Sequence, residues 1–138
     1  MPHDLQVEEP REQRRDEQHD HERGRDHAAP EHALLGSHWD GGYQYTNAPF
    51  TPTNTNHWFW SGSGAVTGRA IGTNILGYEM DRHDPGATQP PGSGVTLLSS
   101  STFLNNGVGP SKESNATIYQ APSGAYVFAA GTISWTWG

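Results

Sequence analysis

The sequence contains no cysteine among its 138 residues, which excludes disulfide bonds, thiolate nucleophiles and cysteine-ligated zinc. It also lacks a run of about 18 apolar residues, so no membrane-spanning helix is predicted. Basic residues are scarce, because eight Lys and Arg stand against fifteen Asp and Glu, and the net charge is −7. Nucleic-acid-binding proteins usually present a basic face, so we predict neither a nucleic-acid nor a membrane partner.

Hydrophobic residues are also few, at 32%, and the shortage is concentrated at the N-terminus. Residues 1–32 hold ten of the fifteen acidic residues and five of the eight histidines, but no Phe, Trp or Tyr. Such a segment cannot bury enough apolar surface to offset the entropy lost on ordering, so we predict a disordered, charged, histidine-containing tail over residues 1–32. The histidines match no defined metal-site spacing. No apolar signal-peptide core is present, which predicts a cytoplasmic location for the chain as written.

The remainder, residues 33–138, is predicted to be β-rich. No apolar stripe recurs at helical spacing, whereas short runs of β-forming residues alternate with turn signals. The pattern indicates mainly antiparallel strands with long loops near residues 84–94 and 104–114. The predicted strands are Ala33–Leu35, His57–Ser61, Asn74–Met80, Val95–Ser99, Ala116–Gln120, Ala125–Ala129 and Thr132–Trp137.

The densest cluster of ionisable residues in this part follows Gly77. On a strand, alternate side chains point to the same side, so Glu79, Asp81 and His83 are predicted to share a face. Two carboxylates and an imidazole can act as general acid and base, or bind a hard metal ion. The alternative is a strand end in solvent, with Arg82 pairing a neighbouring carboxylate.

The aromatic residues suggest a different class of function. His57 lies in an aromatic run, where it is either a hydrogen-bonded core residue or a binding residue. If that run is a strand, Trp58 and Trp60 share a face, as do Trp135 and Trp137 at the C-terminus. Such pairs pack in cores or interfaces, or stack against sugar rings. The alternative function is therefore a stand-alone β-rich binding module that uses Trp residues for glycan or protein contacts.

Several strings, in a fixed order, resemble one known protein family. Each string alone carries little information, but their order and the length of the last one make the match specific. The strings are Asn56-His57-Trp58, Gly62-x-Gly64, Ile75-Leu76-Gly77-Tyr78-Glu79-Met80-Asp81-Arg82, Thr96-Leu97-Leu98-Ser99-Ser100-Ser101 and the segment from Ser114 to Gly138. Together they resemble the C-terminal part of the N,N-dimethylformamidase large-subunit (beta-subunit) family, over residues 33–138.

The resemblance implies an amide hydrolase that cleaves C–N bonds of small amides. Family members are often large, secreted bacterial proteins, with a glutamine-amidotransferase-like α/β domain that holds iron through two tyrosines and a glutamate. The iron motif, a His-Asp-Glu-Tyr string, is missing here, so no cofactor and no metal ligand is assigned to this chain. The resemblance implies that Glu79 lines the active-site pocket as a proton-transfer or substrate-orienting group. Tyr78, Asp81 and His57 are the candidate binding residues.

These inferences together predict a fragment or truncated relative of a dimethylformamidase-like enzyme. Because the metal-binding part is missing, we expect the chain to be inactive alone. The expected partner is the rest of the enzyme domain or a partner subunit, which would also cover the strand edges that a partial sheet exposes.

Overall fold

The computed structural model describes residues 30–105 and 109–137, without the side chains of 40–47 and Trp137. The predicted tail therefore lies outside the described residues, apart from positions 30–32. Strands dominate the described chain, and residues 30–35 are α-helical. The strands are β1 (His38–Phe50), β2 (Ile71–Arg82), β3 (Thr96–Leu97), β4 (Ser101–Leu104), β5 (Ser111–Ser114), β6 (Thr117–Gln120) and β7 (Tyr126–Ala129). The predicted β-rich fold class is confirmed.

All strand pairs in the described chain are antiparallel, and they form three small sheets. The long strands β1 and β2 pair with each other, β6 lies between β3 and β7, and β4 pairs with β5. Two isolated bridges lie outside these strand pairs, at Pro52–Ser99 and at Met80–Thr132. The second bridge brings β2 beside the segment that follows β7, where the candidate site lies.

Three predicted strands are wrong. The first, Ala33–Leu35, belongs to the α-helix at residues 30–35. Residues 33–35 continue a helical turn that includes Pro30, whose fixed φ and missing N–H suit a helix start. Gly36 ends the helix with a φ of 76°, and its N–H donates to the His32 carbonyl at 2.8 Å. A left-handed glycine just after the last turn is a common helix terminator.

The two tryptophan-rich runs are 3₁₀-helices rather than strands, at Trp58–Trp60 and Ile133–Trp137. A side chain caps each of them. The N–H of Phe59 donates to His57 Nδ1 at 3.2 Å, and the N–H of Ser134 donates to the Thr132 hydroxyl at 3.2 Å. These caps satisfy N–H groups that a short helix leaves without intrahelical partners.

The predicted loop over residues 104–114 is partly wrong, because it contains β5. The β4–β5 pair carries few β-branched residues, and buried serine hydroxyls attach it to the rest of the fold. Ser101 Oγ accepts the Thr51 N–H at 2.9 Å, and Ser114 Oγ donates to the Gly131 carbonyl at 2.8 Å. Hydroxyls that bond the backbone in this way are satisfied, so their burial is tolerated.

The hydrophobic core lies between the β1–β2 pair and the other two sheets. It is aromatic on one side, where the Phe50 ring meets Trp60 at 6.2 Å and Trp135 at 5.2 Å between centroids. No described helix is long and apolar enough to cross a membrane. The buried hydrophobic cluster consists of Ala48, Phe50, Trp60, Leu76, Met80, Leu98, Phe103, Ala116 and Ile118.

Candidate functional site

A cleft of about 280 Å³ lies where β2 approaches the end of β7. Two carboxylate residues of β2, Glu79 and Asp81, line it together. Apolar side chains supply much of the remaining wall, with Leu35 from the helix and Phe128 and Ile133 from either side of the β7 end. Small-molecule sites typically combine mostly apolar walls with a few converging polar groups, and this volume suits a small ligand.

Backbone hydrogen bonds fix the acidic side of the cleft. The Asp81 N–H donates to the Gly131 carbonyl at 2.9 Å, and the Asp81 carbonyl accepts the Asn115 N–H at 3.0 Å. Beside it, the Thr132 hydroxyl accepts the Gly77 N–H at 3.2 Å and donates to the Ile75 carbonyl at 3.1 Å. The two cleft walls are therefore joined through main-chain groups, which gives the carboxylates a rigid support.

Tyr78 breaks the regular alternation of β2 immediately before Glu79. Its φ is 63°, a left-handed conformation that is uncommon for a residue other than glycine. In consequence Tyr78 is 50% exposed while Met80 is 1% exposed, although residues two apart on a regular strand share a face. The register of β1 also shifts on both sides of this segment. Bulges and strained residues next to a site change the direction of the side chains that follow. Here Glu79 lines the cleft and Tyr78 does not.

His83 leaves the predicted face because β2 ends at Arg82. Its Nδ1 lies 2.7 Å from the Gly36 carbonyl, and its ring lies 5.1 Å from His32 between centroids. The structure thus brings Glu79 and Asp81 together and separates His83 from them. Nearby, the hydrogen bond from the Gly86 N–H lowers the pKa of Asp84 below its ordinary range.

His57 does not line the cleft with Glu79 and Asp81, and lies at the start of the Trp58–Trp60 turn. It caps that turn, and its ring packs against Trp58 at 5.2 Å between centroids. Trp60 is buried whereas Trp58 is 54% exposed, so the predicted shared face of these two tryptophans is wrong. The reason is geometric, since residues two apart on a helical turn do not point the same way.

A second surface feature runs from Trp58 to β7. We call the exposed residues Trp58, Tyr126 and Phe128 the aromatic face. Trp58 and Tyr126 meet edge-to-face at 4.9 Å between centroids, and Phe128 stacks on Phe59 at 5.1 Å. Phe128 also contacts Trp135 at 5.5 Å, so the aromatic face continues into the core. Because Phe128 lines the cleft as well, the two features are contiguous.

No group of three His, Asp or Glu among the described residues is arranged to hold a metal ion. His83 and His32 are engaged with backbone groups, through the Gly36 and Thr88 carbonyls. We therefore derive no reaction step through iron from this part of the chain.

The fold and the cleft define a small β-rich domain with a paired-carboxylate cleft of small-molecule size. The family model described as N,N-dimethylformamidase beta subunit-like, C-terminal, matches residues 5–138, and the chain belongs to that family. The match begins at residue 5, so the resemblance restricted to residues 33–138 was too narrow. Searches among curated proteins and among solved structures gave no match.

Sequence reasoning missed the wall opposite the carboxylates. Leu35 and residues 128–133 reach the cleft from distant parts of the chain, and nothing in their local pattern indicates this. One usable signal is Gly131, because an isolated glycine in a β-forming run indicates a bulge or a bend. It adopts a φ of 72° and its carbonyl accepts from Asp81, so it sets the chain direction at the cleft.

Proposed function

We propose that this chain supplies part of the active site of an amide hydrolase that acts on small amides, and that it is inactive alone. The observation that carries the proposal is the paired placement of Glu79 and Asp81 in one small cleft, in a chain of this family. The apolar walls suit the alkyl groups of a small substituted amide. Iron, which the resemblance implies, would be held by residues other than the described ones.

Glu79 is the group to which we assign proton transfer. In amide hydrolysis, water oxygen bonds to the carbonyl carbon while a base takes the water proton. The C–N bond then breaks, and the same group returns the proton to the departing nitrogen, which gives a carboxylic acid and an amine. A carboxylate held at the cleft wall can perform both transfers. Asp81, whose backbone is fixed at both ends, serves as a binding residue for the polar end of the substrate.

The first test is the intact mass of the native protein, followed by an assay of N,N-dimethylformamide hydrolysis that measures dimethylamine. We expect a native species larger than 15.0 kDa to hydrolyse the amide, and the purified 138-residue chain to be inactive with or without added iron. Hydrolysis by the isolated chain would contradict the proposal. So would an inactive native species of about 15.0 kDa.

Glu79→Gln, introduced into the native species, is expected to lower kcat by about 10²–10⁴-fold, the usual contribution of a positioned acid or base. The variant keeps the size of the side chain and removes its ability to carry the proton. Glu31→Gln is the matched control, because Glu31 is exposed on the helix away from the cleft lining. Unchanged kcat in Glu79→Gln, with the fold intact, would remove Glu79 from the reaction.

We assign the aromatic face to contact with the rest of the beta subunit. Supporting this, the family description gives the matched part as C-terminal, and β7 is an edge strand of its sheet. Tyr126 and Trp58 are each 54% exposed, which is unusual for large aromatic residues that touch one another. An edge strand with exposed aromatic side chains is a surface that natural proteins normally cover.

Oxidative footprinting tests this assignment. In the larger native species, Trp58 is expected to be protected relative to the isolated chain, whereas Trp39, which is 50% exposed, is the matched control. A separate titration, followed by tryptophan fluorescence, tests the binding-module alternative. A saturable response to an oligosaccharide, lost in Trp58→Ala, together with equal labelling of Trp58 in both species, would favour a glycan module instead.

A further inference from the structure

Three histidine rings meet near the helix at residues 30–35, and the middle one is fully buried. His32 is 0% exposed, and its ring centroid lies 5.4 Å from that of His38 and 5.1 Å from that of His83. His38 is buried as well, and its Nδ1 has no hydrogen-bond partner among the described residues. Imidazoles at this spacing cannot all carry a positive charge without mutual repulsion.

The hydrogen bonds of His32 define its protonation state. Nδ1 lies 3.0 Å from the Thr88 carbonyl, which can only accept, so Nδ1 carries the hydrogen. The Asp84 N–H donates to Nε2 at 3.0 Å, so Nε2 must be bare. His32 is therefore neutral, as the Nδ1–H tautomer. A proton added at Nε2 would oppose the Asp84 N–H and break that bond.

His32 also anchors a wall of the cleft. It lies in the helix at residues 30–35, and Leu35 of the same helix lines the cleft. Other side-chain bonds also hold this segment, from the Tyr119 hydroxyl to the Leu34 carbonyl at 2.7 Å, from the Thr117 hydroxyl to the Leu35 carbonyl at 3.0 Å, and between His83 Nδ1 and the Gly36 carbonyl at 2.7 Å. Losing the His32 bonds therefore loosens the attachment of the Leu35 wall.

The surroundings of His32 determine the sign of its response to pH. Burial is the largest influence and lowers the pKa of His32 below its ordinary value of 6.5. The Thr88 carbonyl opposes this, His83 and His38 lower the pKa further, and Asp84 raises it. The other charged residues that directly adjoin these histidines in the sequence are Glu31, beside His32, and Arg82, beside His83. Since the closed state holds the proton less tightly than the open state, the contribution of His32 to closure is fully present above 6.5 and weakens as the pH falls.

We propose that His32 is a pH-sensitive latch that holds residues 30–36 against the turn after β2, and that its protonation opens the Leu35 side of the cleft. The latch depends only on described contacts and needs no assumption about hydrolysis. One proton couples to opening, so the ratio of open to closed molecules is expected to rise up to about tenfold per pH unit below 6.5, until His32 titrates in the closed state.

The test is NMR on the full chain without substrate. The pH runs from about 7.5 to about 4.5, from roughly one unit above to two units below the ordinary pKa of histidine. Ring ¹⁵N shifts report the tautomer of His32. Protection factors of the Asp84 and Gly36 amides, which divide out intrinsic exchange, report latch opening. We expect the Nδ1–H tautomer at neutral pH and a matching loss of protection at both amides on acidification. The Val127 amide, in the β6–β7 pair, is the internal control and should keep its protection.

Two variants separate the latch from general acid unfolding. His32→Asn keeps a donor for the Thr88 carbonyl but cannot titrate, so the Gly36 protection factor should become independent of pH. His83→Asn keeps a donor for the Gly36 carbonyl and leaves His32 in place, so the pH dependence should remain. Should His32→Asn fail to fold, the wild-type ring shifts still decide. Titration of His32 at or above 6.5, or unchanged Gly36 protection, would overturn the latch.

Discussion

Gly131→Ala is expected to destabilise the domain by about 2–5 kcal/mol. Gly131 has a φ of 72°, and a left-handed backbone costs an L-residue about 1–2 kcal/mol. In addition, a Cβ there would overlap the Asn115 carbonyl, which is backbone and cannot rotate away. Overpacking of this kind typically costs about 1–3 kcal/mol more. The backbone displacement that relieves this overlap would also weaken the hydrogen bonds that the Gly131 carbonyl accepts from Asp81 and Ser114.

The measurement is the free energy of unfolding from urea titration, with Gly64→Ala as the matched control. Gly64 has the same φ of 72°, but no described atom lies within 4 Å of the position its Cβ would take. The control should therefore cost only the backbone contribution, about 1–2 kcal/mol. Equal costs for the two variants would mean that the approach of Gly131 to Asn115 has no energetic consequence.

The elements that the sequence predicted correctly are those with enough β-forming residues to define a strand locally. The run Asn74–Met80 lies within β2, and the runs ending at Gln120 and Ala129 contain β6 and β7, which each begin one residue later than predicted. The tryptophan-rich runs were equally apolar but became 3₁₀-helices, because the caps at His57 and Thr132 favour a turn over extension. An apolar run alone does not distinguish a strand from a short buried helix.

The candidate site was predictable to the extent that it is local. A period of two places Glu79 and Asp81 on one side, and the structure has both in the cleft. The left-handed Tyr78 had no sequence signal, since only tertiary packing can hold a tyrosine in that conformation. His32 was assigned to a polar tail by composition, although it is buried by partners more than 50 residues away in the chain, at Asp84 and Thr88.

Asn115→Ala is the second change with a large expected effect, about 3 kcal/mol or more. Asn115 is 2% exposed, and its side chain joins three parts of the fold. Its Nδ2 donates to the Ser99 carbonyl at 3.2 Å and to Glu113 Oε1 at 2.6 Å, while its Oδ1 accepts the His83 N–H at 3.0 Å. Truncation leaves buried backbone groups without partners, and each such group costs about 1–3 kcal/mol.

Gln89→Ala is the control for Asn115, because it removes an exposed side-chain amide whose nitrogen, like that of Asn115, donates two hydrogen bonds. Gln89 Nε2 donates to the Asp84 and Ala87 carbonyls, and water can replace it there. Its loss should cost well under about 1 kcal/mol, the net value of an ordinary hydrogen bond. Thermal unfolding of both variants is the measurement.

Asn115→Asp adds a test of mechanism rather than of size. The ionised carboxylate of this variant could still accept the His83 N–H, but it would face the Glu113 carboxylate and the Ser99 carbonyl, to which the amide now donates. The loss of stability should therefore be largest at neutral pH. Part of the stability should return as the pH falls and the new carboxyl group is protonated. A loss that does not change with pH would mean that cavity and shape, rather than the donor directed at Ser99 and Glu113, account for the effect of Asn115. In that case the end of β2, and with it the acidic side of the cleft, would depend on packing alone.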